Sequence, residues 1–144
     1  MPKPEGSLLF AWLAGFCLAG ATDCRPSQEE SPVTAYNSFA EALRKGDLKT
    51  AYGYLSAETR QAIEQRTQAV SAASGGVVKG DPATWMFGGV GKAPPLTEVK
   101  LLSQDGGTAT VRAAAGSFAR NITMVREPTG WKVDLTEWLD RQAQ

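Results

Sequence analysis

Histidine is absent from this sequence. That removes the side chain that most often moves protons near neutral pH and most often ligates metals. Two cysteines, Cys17 and Cys24, are too few for a cysteine-only zinc site. No cofactor, metal or organic, is expected. An excess of charge of one sign is missing too. Fifteen basic residues balance fifteen acidic ones, and no Lys/Arg cluster builds the basic face that nucleic acid requires, so nucleic acid is excluded as a partner. The glycine-rich stretch SGGVVKG, from Ser74 to Gly80, lacks the preceding strand and the closing Lys-Ser/Thr of a phosphate loop. There is no nucleophile elbow. Asn121-Ile122-Thr123 fits a glycosylation sequon but falls inside a strand pattern, so no function is assigned to it.

What is present begins with an apolar run, Leu8 to Ala21, that carries no charge and follows Lys3. It is shorter than the roughly 20 residues of a membrane span and suits the core of an export signal. Two exits compete. Ala19-Gly20-Ala21 is a small-residue cleavage site that would free Thr22. Alternatively, Cys24 is a candidate for lipidation, and the polar RPSQEESP that follows Cys24 suits a membrane tether. The Leu-Ala-Gly expected directly before an acylated cysteine sits three residues early, at Leu18-Ala19-Gly20, and Asp23 precedes Cys24. Either exit leads to export: to the cell envelope, periplasmic or lipid-anchored, or to secretion. The organisation expected is a signal peptide over 1–23, a tether over 24–31 and one folded domain over 32–140. Cys17 would leave with the signal, so the domain has no disulfide and depends on its core.

The domain starts with caps. Ser31-Pro32 opens a helix, Gly46 closes it, and Arg44 and Lys45 suit the negative end of its dipole. Val33, Tyr36, Phe39, Ala40 and Leu43 fall on one face. Asp47 caps a short helix with Leu48, Ala51, Tyr52 and Leu55 in a stripe. Ser56 caps a third, over Ala57–Ala72, whose stripe reads Ala62, Ile63, Ala69 and Val70. Asp81-Pro82 opens one or two turns that carry Trp85, Met86 and Phe87 before Gly88. The period then changes to two. Four strands with short turns at Asp105-Gly106-Gly107, Gly116 and Pro128-Thr129-Gly130 predict an antiparallel meander. Trp138 and Leu139 are left in a C-terminal tail. The class predicted is α+β, with N-terminal helices packed on a curved antiparallel sheet of about four strands.

The pairing of AYNSFAEALRKGDLKTAYGYLSAETR with a terminal GWKVDL resembles the nuclear transport factor 2-like, or ketosteroid-isomerase-like, superfamily. It looks most like bacterial exported, lipoprotein-type members. The resemblance covers Pro32 to Arg60 and Gly130 to Leu135, and implies a cone-shaped, cystatin-like roll whose first helix crosses the sheet. Enzymes of that superfamily place an acid or base in the mouth of the cone. Here only carboxylates and tyrosines are available for such a role.

The candidate contacts are weighed on that basis. Tyr36 and Tyr52 lie on apolar stripes, which makes them core residues before they are pocket donors. The strand pattern puts Asp134 on the face opposite Trp131, so it is an ordinary aspartate on a wet face or a base in a lined cavity. Arg120 interrupts the Phe118, Ile122 and Met124 face; it pairs with Glu98 or Asp134, sits at a sheet edge, or meets an anionic ligand. Trp85, Met86 and Phe87 form a lid over a pocket or a plug within it. With no histidine and no paired carboxylate, the first reading is a non-enzymatic domain that binds a partner protein or a small apolar ligand. The alternatives are a small isomerase- or cyclase-like enzyme using carboxylate and tyrosine chemistry, and a structural homodimer joined sheet to sheet.

Overall fold

The computed structural model describes residues 30–143. The predicted export signal and Cys24 lie outside the described residues. Five helices and four strands follow in the order α1 (Pro32–Lys45), α2 (Leu48–Gly53), α3 (Ala57–Ala73), α4 (Pro82–Phe87), β1 (Glu98–Asp105), β2 (Thr108–Ala115), β3 (Phe118–Glu127), β4 (Gly130–Asp134) and α5 (Thr136–Gln142). The sheet is an antiparallel meander in the order β1-β2-β3-β4 with helices packed against it, an α+β architecture.

The helix ends follow their caps. The side-chain oxygens of Ser31, Asp47, Ser56 and Asp81 each accept the N–H three residues on, which satisfies a donor that the first turn leaves open. At Gly46 the backbone is left-handed, with φ 74. Gly46 N–H reaches the Leu43 carbonyl at 3.0 Å and Asp47 N–H the Ala42 carbonyl at 2.9 Å, the paired closure that a glycine permits without steric penalty.

The buried face of α1 is Pro32, Ala35, Phe39 and Ala42, one step round from the stripe that the sequence pattern picks out; Val33, Tyr36 and Leu43 are only partly buried. The reason is size. On the sheet, Ala109 and Ala113 of β2 alternate inward with Val111, and small side chains on both surfaces let the helix lie close. Met124, Trp131 and Val133 complete that face. In α3 the buried residues are Thr59, Ile63 and Thr67, while Ala69 and Val70 are exposed. Thr67 can be buried because its hydroxyl donates to the Ile63 carbonyl at 2.8 Å. The C-terminal tail is a helix, α5, and its Leu139 is buried in the core.

Leu55 joins helices to sheet. It forms a parallel bridge with Val133, in which Ser56 N–H meets the Val133 carbonyl at 2.9 Å and Val133 N–H meets the Tyr54 carbonyl at 2.8 Å. Leu55, Met124 and Val133 are all fully buried. Leu55→Ala is expected to lower stability by about 2–5 kcal/mol. Urea unfolding followed by circular dichroism measures it, and an unchanged midpoint would contradict the position assigned to Leu55.

Candidate functional site

β4 is five residues long and β3 ten. Where β4 stops, the chain turns away from the sheet into α5, and a polar knot fixes that departure. Thr59, fully buried on α3, donates its hydroxyl to Asp134 Oδ1 at 3.1 Å. The same oxygen of Thr59 accepts from Ser56 Oγ at 2.8 Å and from Leu135 N–H at 2.9 Å. Asp134 Oδ1 also accepts from the Thr136 N–H at 2.9 Å and hydroxyl at 2.8 Å. Leu135, at the cap position of α5, has no side chain to offer, so the Asp134 carboxylate does the capping and places negative charge at the positive end of the helix.

Beside this knot opens a cleft of about 390 Å³, a volume within the range of small-molecule sites. Leu43, Met86, Phe87, Val90, Ile122, Leu135 and Trp138 supply its apolar lining. Arg120, Asn121, Thr123, Asp134, Thr136, Glu137 and Arg141 supply its polar rim. Arg141 reaches Glu137 at 3.8 Å, an exposed pair that contributes little. Among the described residues no ion pair engages Arg120, so the cleft keeps one uncompensated cation. Two other hollows, each of about 490 Å³, lack this combination: one lies beside Glu64, Lys79 and Asp81, the other between α1 and Ala93–Leu96.

The cleft gathers four of the residues singled out in the sequence: Met86, Phe87, Asp134 and Arg120. Phe87 is a plug, since it is buried edge-on against Phe39 with ring centres 6.0 Å apart. Met86 is half-buried at its side, and Trp85 is exposed outside the cleft. Arg120 is exposed and stands near Tyr36. Tyr36 lines the hollow beside Pro94 and Pro95; burial pushes its hydroxyl up from the usual tyrosine range, and the Arg120 charge partly offsets the push. Tyr52 lies on another side, bonded at 3.3 Å to both the Arg60 carbonyl and Glu64 Oε1. Burial first, then the Glu64 carboxylate, push it up to about 12. Leu43, Val90, Ile122, Trp138 and Arg141 were not singled out. Leu135, Trp138 and Leu139 at i, i+3 and i+4 were the signal for α5 and so for the part of the cleft wall that it supplies.

Asp134 carries a structural load in this arrangement, and its Oδ1 is already shared among three donors. No protein-family model, curated protein or solved structure matches the chain. Thr59→Val removes the central hydroxyl and leaves the Leu135 N–H and one acceptor site of Asp134 without it. A loss of about 1–3 kcal/mol is expected, with faster hydrogen exchange at the Leu135 amide. Wild-type stability together with wild-type exchange would refute the role assigned to this knot.

Proposed function

We propose that this chain is an exported, non-enzymatic binding domain of the nuclear transport factor 2-like kind, which holds an apolar group of its ligand in the cleft between α4, α5 and the open edge of β3. The observation that carries the reading is the lining itself. Partly exposed apolar side chains converge with an arginine outside any ion pair, while of the two carboxylates in the lining Asp134 is engaged in capping and Glu137 faces Arg141. That arrangement recognises an apolar body bearing a negative charge and offers no free proton carrier at neutral pH. The superfamily reading is supported by the order of elements, helices first and then a meander, and by Trp131 buried at the start of the last strand. The isomerase-like alternative has less support: Tyr36 and Tyr52 line other parts of the surface. The sheet-to-sheet homodimer has less support too: on the outer face Lys100, Thr108, Thr110, Arg112, Asn121 and Thr123 interrupt the apolar Ala114, Ala119 and Val125.

The dye 8-anilinonaphthalene-1-sulfonate tests the cleft. It is expected to bind at one site and to quench Trp138, so that Trp138→Phe loses most of the energy transfer. Val90→Glu alters an exposed lining residue and is expected to weaken the dye about tenfold, the equivalent of about 1.4 kcal/mol. Equal dye affinity in both proteins would overturn the assignment. Export is tested by intact mass of the protein recovered from cells. A start at Thr22, or at an acylated Cys24, is expected, and a cytosolic chain that keeps Met1 would reject export.

A further inference from the structure

The edge of β3 is half unpaired. Its ladder with β4 ends at Thr123 opposite Asp134, whereas its ladder with β2 continues to Phe118 opposite Ala115. Successive residues of an antiparallel strand send their N–H and C=O groups to alternate sides. Arg126 N–H bonds to the Gly107 carbonyl on the β2 side at 2.7 Å, so the even-numbered residues of β3 serve β2. Ala119 and Asn121 therefore turn both backbone groups toward the space that a longer β4 would fill. No backbone group among the described residues takes them up. Both residues are exposed.

The cleft lies against this edge, because four consecutive residues, Arg120 to Thr123, line it although they alternate in face. Three needs thus meet along five residues. Ala119 and Asn121 lack main-chain partners. Arg120 lacks a carboxylate. Ile122, partly buried at the cleft, is covered only in part, and Phe118, 76% exposed on the same strand face, lacks apolar cover. A small molecule answers the last two needs only. A second copy meeting edge to edge about a two-fold axis at this segment's centre would set Arg120 opposite Arg120, a like-charge pair directly across a ladder.

Building on the cleft as a binding site, we propose that its occupant is an extended segment of another protein that adds to β3 as an antiparallel strand, continuing the line of β4. Such a strand places alternate side chains on the cleft face, so the segment reads apolar-x-acidic-x-apolar: apolar opposite Ile122, acidic opposite Arg120, apolar opposite Phe118. Main-chain bonds to Ala119 and Asn121 supply the alignment, and the alternate side chains supply the selectivity.

The test uses the peptide acetyl-LTETFT-amide, which starts opposite Ile122, and the purified chain. Ala119→Pro removes one outward donor and leaves the ladder to β2 intact, a position at which an edge strand tolerates proline. It is expected to weaken the peptide about tenfold, in the range of one net hydrogen bond, with dye affinity unchanged. Arg120→Glu is expected to lose this peptide and bind acetyl-LTKTFT-amide instead. N-methylation of the second and fourth peptide residues, which face Asn121 and Ala119 in that order, removes the same ladder from the ligand side and is expected to abolish binding, whether or not the proline variant folds. Dye binding without peptide binding, N-methylated peptide bound as well as its parent, or sedimentation of the chain as a dimer that the peptide cannot dissociate would each overturn strand addition while leaving the cleft assignment in place. Loss of the dye site would remove both.

Discussion

The hydroxyl of Thr59 sits where three segments meet. It accepts from Ser56 and from the Leu135 amide, and it donates to Asp134. A buried hydroxyl is stable only when its hydrogen bonds are made, so these contacts hold one geometry and penalise others. The start of α3, the end of β4 and the start of α5 are thereby placed relative to one another. β4 ends after five residues because Asp134 turns from strand to cap, and everything on the open side of β3 follows from that early exit.

The apolar core accepts the same constraint from the other side. Leu55 bridges to Val133 just before Ser56 begins the knot, so the hydrophobic and polar joints occupy consecutive positions in the chain. Fully buried Leu55, Ile63, Met124 and Val133 gain by leaving water, and Thr59 lies among them with its polar needs met. α5 then docks through Leu139, and Arg66 of α3 reaches Asp140 at 3.5 Å. The cleft is the space left where a helix, rather than a longer strand, returns beside β3. Among the described residues Arg120 enters no ion pair there, and Asp134, the acid at the end of the last strand, is turned to the helix end.

Much of this was legible in residue order. Ser31-Pro32, Gly46-Asp47, Leu55-Ser56 and Asp81-Pro82 marked the starts of α1 to α4 and the stop of α1, since capping is local chemistry between residues three or four apart. Alternation marked the strands, and Met86, Phe87, Arg120 and Asp134 were singled out before their gathering was visible. The burial faces of α1 and α3 were less legible. The α1 face depends on alanines of β2 that lie far away in sequence, and in α3 a threonine, Thr67, is buried while Val70 is exposed. Hydrophobicity ranks residues one by one, whereas burial depends on what stands opposite.

The sequence alone determined the number of strands, their order as a meander and the starts of four helices, because these rest on short-range capping, turn formation and side-chain periodicity. It also determined what chemistry is absent, since a chain without histidine cannot gain one by folding. Only the tertiary structure decided that Asp134 caps a helix, that Phe87 is a plug and that Tyr52 stands apart from the cleft. Those roles rest on contacts between residues tens of positions apart, such as Thr59 with Asp134. A local pattern specifies what a residue can do, and the partner brought to it by folding specifies what it does.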